Sequence, residues 1–202
     1  TVYTDANGYA LYIEETDANV TDYAVVLRVS GDNSGNWVNG NRAKLLFTEG
    51  SIKTVTLDKD YTVPSAGTNQ LTDNNNGDKT GLALVKYKVE SDGDYKLTVV
   101  STTSKTVTIK DKAVKDSSNT LISTDSKTIF VVNKNGKTDD FNVYTGIKNA
   151  PSTSSTSTAT AWSYMKSNLA KVVFVLNATT VSSSKDITFI AGESVSKLTG
   201  ED

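Results

Sequence analysis

Histidine and cysteine are both absent from this 202-residue chain, and methionine and proline nearly so: Met165, Pro64 and Pro151 are the only examples. Each absence removes a class of chemistry. Without histidine there is no Ser-His-Asp triad, no imidazole base and no histidine-held metal. Without cysteine there is no thiolate nucleophile, iron–sulfur cluster, thiolate zinc or disulfide. Arginine is scarce, with Arg28 and Arg42 set against nineteen lysines. Net charge is −2 with the signs interleaved, so the one-sided cationic face of a nucleic-acid binder is missing. No apolar run approaches the roughly 20 residues that cross a bilayer, which argues against membrane insertion. The chain has neither a starting Met nor a signal peptide, and both ends read as strand; the expectation is a segment of a longer protein.

What is abundant is hydroxyl. Serine and threonine contribute 51 residues. Together with the Asn and Asp content and the shortage of Arg, they point to an exported, surface-exposed protein. The length fits one large domain or two small ones, with enough chain to bury a core.

Period-2 alternation dominates the sequence. Tyr9, Leu11 and Ile13 alternate with Ala10, Tyr12 and Glu14, as a half-buried strand requires. Residues 23–29 (YAVVLRV) read as a denser, central strand. Ala43, Leu45 and Phe47 lead through Glu49-Gly50 to Lys53, Val55 and Leu57, a hairpin with Gly in the turn. Val85, Tyr87 and Val89, then Ser-Asp-Gly-Asp (91–94), then Tyr95, Leu97 and Val99 form a second hairpin, with Lys86, Lys88, Glu90 and Lys96 pointing outward. Residues 106–110 and 128–132 are strands, the latter buried, and Asn135-Gly136 turns the chain toward Phe141, Val143 and Tyr144. Residues 161–166 and 171–176 make a hairpin about Ser167-Asn168, and 186–190 add a last strand. The one helical alternative, 161–170, is outweighed by Trp162/Tyr164 alternation. The polar stretches 31–42, 65–80, 116–127 and 151–160 read as loops, the last of low complexity. The expected fold is all-β: two small β-sandwich or barrel-like modules built from antiparallel hairpins, residues 1–104 and 105–202. Ala43–Phe47 (AKLLF) echoes Ala170–Phe174 (AKVVF), a weak hint of duplication.

Candidate chemistry is thin. Glycoside hydrolysis needs only two carboxylates, and the pairs are Glu14/Glu15, Asp92/Asp94 and Asp139/Asp140. Adjacent strand residues face opposite ways, so Glu14 and Glu15 cannot serve one substrate, while Asp92 and Asp94 flank Gly93 as turn residues. The Asp73–Asp78 loop (DNNNGD) concentrates oxygen ligands suited to calcium. It fails the EF-hand template, because a Gly77 alignment puts Thr72 and Ala83 at ligand positions. Trp37 and Trp162 are candidates to stack on sugar rings, against a core role for each. Ser104-Lys105 lacks any motif context, and phosphate-cradling glycine patterns are absent. Lys44 and Lys171 lie in apolar strands, where a Lys–Asn isopeptide link is one reading and an edge-facing lysine the plainer one. No catalytic, metal or cofactor-binding residue is assigned, and no cofactor is expected.

Several strings resemble the repeated C-terminal regions of large Gram-positive surface proteins that carry S-layer homology anchors. They are 1–15 (TVYTDANGYALYIEE), 23–29, 43–58 (AKLLFTEGSIKTVTLD), 81–98 (GLALVKYKVESDGDYKLT), 126–132, 144–152 (YTGIKNAPS), 169–176 and 186–192. The most specific is Tyr144–Pro151, which follows a TIFVV-type strand. The resemblance implies tandem β-rich repeats in an extended cell-surface array, with wall-binding anchors elsewhere in the protein. It also implies that 1–15 and 186–202 are repeat junctions, and it carries over no catalytic residue. The expectation is a non-enzymatic structural and spacing segment of an extracellular, S-layer-like protein, with neighbouring repeats or copies as partners. The alternative is a carbohydrate- or host-ligand-binding module, accessory to a polysaccharide hydrolase, in which cell-surface glycan is the partner.

Overall fold

A computed structural model describes residues 2–4, 10–13, 20–30, 42–58, 72–73, 78–80, 83–134, 137–154 and 159–181. Every regular element among them is a strand. β1 (Val2–Thr4) and β2 (Ala10–Ile13) form a small antiparallel ribbon. The first large sheet holds β3 (Tyr23–Ser30), β4 (Arg42–Phe47), β5 (Ile52–Thr56), β6 (Thr72–Asp73), β7 (Asp78–Thr80), β8 (Ala83–Val89) and β9 (Tyr95–Ser101). β3 is central, with β4 then β5 on one side. On the other side β8 leads out to β9, and β7 and β6 cover the far end of β3.

The second sheet begins at β10 (Lys105–Lys110) and adds β11 (Ala113–Asp116), β12 (Leu121–Ile122), β13 (Ile129–Asn133) and β14 (Phe141–Thr145). β15 (Ser152–Thr153) leaves the sheet, β16 (Thr160–Lys166) and β17 (Leu169–Leu176) rejoin it, and β18 (Thr180–Val181) pairs with β15. The strand order is β12-β11-β10-β16-β17-β13-β14.

Three apolar layers hold these sheets. Ala24, Val26, Val29, Leu45, Phe47, Val55, Leu57, Val85 and Leu97 fill the concave side of the first sheet. That sheet curls until Leu57 bridges Tyr95 on the opposite edge, but it does not close into a barrel. Val107, Ile109, Val114, Phe130, Val132, Val173 and Val175 fill the inner side of the second sheet. The third layer lies between the sheets: Tyr23, Val25, Leu46 and Leu84 from the first meet Val131, Phe141, Trp162, Val172, Phe174 and Leu176 from the second. Successive strand residues face opposite ways, so β3, β13 and β17 supply both their own sheet's core and the shared layer. This is why they read as unbroken apolar runs.

One bulge keeps a charge out of the core. Between Val26 and Arg28 the β3–β4 register slips by a residue. The slip turns Val29 inward with Ala24 and Val26, where strict alternation would have sent Arg28.

Turn chemistry follows two plans. Gly50, Gly93 and Asn119 each close a three-residue hairpin loop at positive φ (81°, 90° and 61°). In each, a pair of backbone bonds spans the turn, as in Gly93 N–H to Glu90 O at 3.0 Å and Glu90 N–H to Asp94 O at 2.8 Å. Asp111-Lys112 and Ser167-Asn168 make two-residue turns with both φ values positive, the twist-matched geometry for tight hairpins.

The all-β, mostly antiparallel expectation holds, with one exception among the paired strands. β13 runs parallel to β17 over four pairs, Ile129↔Val172 to Val132↔Val175. Parallel strands occur where both faces are covered, and the second core and the shared layer cover both faces here. The AKLLF/AKVVF echo also falls in unlike places. β4 has antiparallel neighbours on both sides, whereas β17 has one of each kind and a register shift beside Lys171. The expected strand at 186–190 lies outside the described residues.

Gly146 reads out the close approach of segments. At φ +81° a Cβ there would lie 2.7 Å from the Ser126 carbonyl oxygen, whereas a Cβ at Gly93 (φ +90°) would meet nothing within 4 Å. Gly93→Ala is expected to cost about 1 kcal/mol, the left-handed strain alone, and Gly146→Ala at least roughly 2 kcal/mol more. Urea unfolding of the two variants measures this; equal losses would contradict the contact.

Candidate functional site

The carboxylate pairs weighed for catalysis, to which no catalytic role is assigned from sequence, have turn and surface roles where they are described. Asp92 Oδ1 accepts the Asp94 backbone N–H at 3.1 Å, a bond internal to the β8–β9 turn. Asp140 pairs with Lys134 at 2.8 Å across the base of the β13–β14 connection, and its neighbour Asp139 is exposed. Glu14 and Glu15 lie outside the described residues. So does the tip of the Asp73–Asp78 loop, 74–77; the backbone sets its two arms as a short hairpin with Asp73 opposite Lys79. Among the described residues no three acidic groups gather where a metal could bind.

The aromatic candidates divide as well. Trp162 is 4% exposed and belongs to the shared layer, so it offers no face to a sugar. Trp37 lies outside the described residues. Tyr23 and Tyr164 stack with centroids 4.1 Å apart. Burial, then the hydrogen bond and charge of Tyr164 and the charge of Asp22, push the Tyr23 phenol far above its ordinary value. Tyr87 rises for a similar reason, burial first and then Glu49, Tyr95 and Asp22; its hydroxyl donates to the Thr21 carbonyl at 2.6 Å. A phenol raised in this way stays protonated and serves packing.

Lys44 and Lys171 are half-buried. Lys44 lies across from Arg28 and Thr54, and Lys171 contributes its charge to Asp125.

That carboxylate anchors a cluster not apparent in the sequence reading, which placed 116–127 in a loop. Asp125 Oδ1 accepts N–H bonds from Lys127 and Thr128, both at 2.8 Å. The Thr128 hydroxyl lies 2.8 Å from the Ala170 carbonyl and 3.1 Å from Asp125 Oδ1, and accepts the Asp125 N–H at 2.9 Å. Gly146 N–H donates to Thr128 O at 2.8 Å, and Ala170 N–H to Ser123 O at 2.9 Å. The loop is thereby fixed to the end of β14 and the start of β17. An Asp three residues before a Thr at a strand entrance is the local signal that marks such a cluster.

The described surface also carries a groove of about 610 Å³ over β10 and β11, lined by Thr108, Lys110, Ala113, Lys115, Asp116 and Asn119 among others. Asp116 is occupied there. Its carboxylate accepts the Thr120 and Ser118 N–H groups at 2.9 and 3.0 Å and pairs with Lys105 at 3.4 Å. Those contacts, the Thr120 backbone bond foremost, hold it below the usual carboxylate value. Lys110 and Lys115 present ammonium groups, so the groove offers charge and hydrogen-bond donors to an oxygen-rich ligand.

Asp125 yields a pH prediction with a definite sign. Burial alone would raise it, but the Lys127 and Thr128 bonds and the Lys171 charge outweigh burial and lower it below 3.8. The unfolded chain therefore takes up the proton first. The Asp125 contribution is present above that value and is lost as pH falls through and below it. Asp125→Asn is expected to lower the urea midpoint at neutral pH and to flatten the acid limb. A uniform downward shift with an unchanged limb would contradict this.

Comparison with known proteins closes the description: no protein-family model matches the chain, and no curated protein or solved structure is significantly similar to it.

Proposed function

We propose that the chain is a non-catalytic structural and spacing segment of a bacterial cell-surface, S-layer-like protein. The observation that carries this reading is the apolar layer between the sheets. Side chains from both halves interlock there, so the connector between Ser101 and Lys105 joins parts that cannot swing freely, and a spacer needs that rigidity. The outward positions support the same reading. Lys86, Lys88, Lys96, Thr98 and Lys115 are exposed on strand faces, and mixed charge and hydroxyl keep a β surface soluble. Asp92, Asp116, Asp125 and Asp140 are engaged in turns and ion pairs, which suits a scaffold. A second reading, a carbohydrate- or host-ligand-binding module, draws on the β10–β11 groove with its two lysines.

Protease shaving of intact cells that make the parent protein separates location from sequence resemblance. Peptides from the exposed turns of this segment, such as that around Lys88–Lys96, are expected in the shaved fraction without lysis. Recovery only after lysis would overturn the surface reading. Specific glycan-array binding lost on Lys115→Ala would favour the binding module over the spacer.

A further inference from the structure

Sheet edges are where a β protein meets other chains, and the two large sheets guard theirs unequally. β6 and β12 are two residues each. β5 carries Lys53. β9 sets Lys96 opposite Lys88 with Lys86 nearby, and its first residue is already bridged by Leu57. Brevity and lysine blunt an edge.

β14 has neither protection. Its five residues, Phe141-Asn142-Val143-Tyr144-Thr145, contain no charge and no proline, and its pairing with β13 runs without a bulge. Ladder alternation shows which groups face out. Lys134 N–H donates to Asp140 O and Gly146 N–H to Thr128 O, both at 2.8 Å, so the even-numbered residues between them bond to β13. Phe141, Val143 and Thr145 therefore turn their backbone groups away from the sheet. Asn149 Nδ2 caps the Thr145 carbonyl at 2.7 Å and ends the edge there. Val143 is 41% exposed.

We propose that β14 pairs with β14 of a second copy, antiparallel about a two-fold axis at Val143. The pairing is isologous. Val143 exchanges both backbone bonds with its counterpart and is the centre of the pairing. Asn149 caps the Thr145 carbonyl, and the Gly50 turn approaches the Phe141 carbonyl, where a Cβ on Gly50 would lie 3.3 Å away. Direction follows from charge. Asp139 precedes the strand and Lys148 follows it; both are exposed, and neither has an ion-pair partner among the described residues. Antiparallel pairing brings the Asp139 end of one copy to the Lys148 end of the other, whereas parallel pairing would set like charges together. The proposal deepens the scaffold reading by naming the edge at which copies meet, and its test does not depend on where the protein resides.

Sedimentation equilibrium over a roughly hundredfold concentration series tests it. The wild type is expected to rise from 21.6 kDa toward twice that mass. Val143→Lys adds a charged guard, and Val143→Pro removes an outward N–H but no bond to β13. Both are expected to remain monomeric with unchanged circular dichroism, and Thr145→Lys replaces either variant if it misfolds. Lys148→Glu is expected to weaken association roughly 2- to 5-fold, and Lys148→Glu with Asp139→Lys to restore it. A wild type that stays monomeric, a dimer that survives the edge variants, or a charge reversal that fails to rescue would each overturn the proposal.

Discussion

The apolar layer between the two sheets is the constraint on which the rest depends. A sheet with one buried face can leave its other face wet. Here the outer face of the first sheet is covered by that of the second, through Val25, Leu46 and Leu84 against Val131, Trp162 and Phe174. β3, β13 and β17 are consequently dry on both sides, and several of their residues are fully inaccessible. Double burial permits the parallel β13–β17 pair, which a wet-faced sheet rarely contains. It also makes the bulge before Arg28 necessary, since a charge facing inward would be desolvated without recompense.

A dry interior must account for its backbone polar groups. Where ladders end early, buried side chains replace them. β10 pairs with β16 only through Lys105 and Thr106, and the N–H of Ile109 is then met by Thr153 Oγ1 at 2.9 Å. Asn133 acts as a piece of strand beyond the end of β17: its Oδ1 accepts the Ala178 N–H at 2.8 Å and its Nδ2 donates to the Ala178 carbonyl at 3.2 Å. Thr128 does the same for Ala170. All three are buried polar residues, and the hydroxyl and amide content so prominent in the composition is partly spent here.

Much of the fold was legible in the residues because its signals are local. Gly50, Gly93 and Ser167-Asn168 announce their hairpins, and alternation identifies the strands around them. The β11–β12 hairpin was missed because Asn119 takes the left-handed place usually given to Gly, and Asp111-Lys112 was missed because lysine is an unusual occupant of such a turn. β15 and β18 are two residues each within Ser/Thr-rich stretches, too short to show a period. Period-2 patterning carries no information on which strand lies alongside, so the parallel pair was invisible. It also overestimates burial at hairpin tips: Val89 alternates with the core-facing residues yet is 48% exposed, since its arm extends past the core. The candidate sites were less legible. The turn role of Asp92 follows from its neighbours, whereas the Asp125–Thr128–Ala170 cluster joins residues far apart in sequence.

A spacer is only as rigid as the weakest joint in it, and the shared layer removes the joint that a two-sheet chain would otherwise have. Scanning calorimetry of the wild type and Phe174→Ala tests that claim directly. The account predicts one transition with equal calorimetric and van't Hoff enthalpies, and a single transition moved down in the variant by the roughly 3–5 kcal/mol typical of a buried Phe truncation. Two resolved transitions in the wild type, or a variant in which one half melts earlier while the other is unmoved, would contradict it.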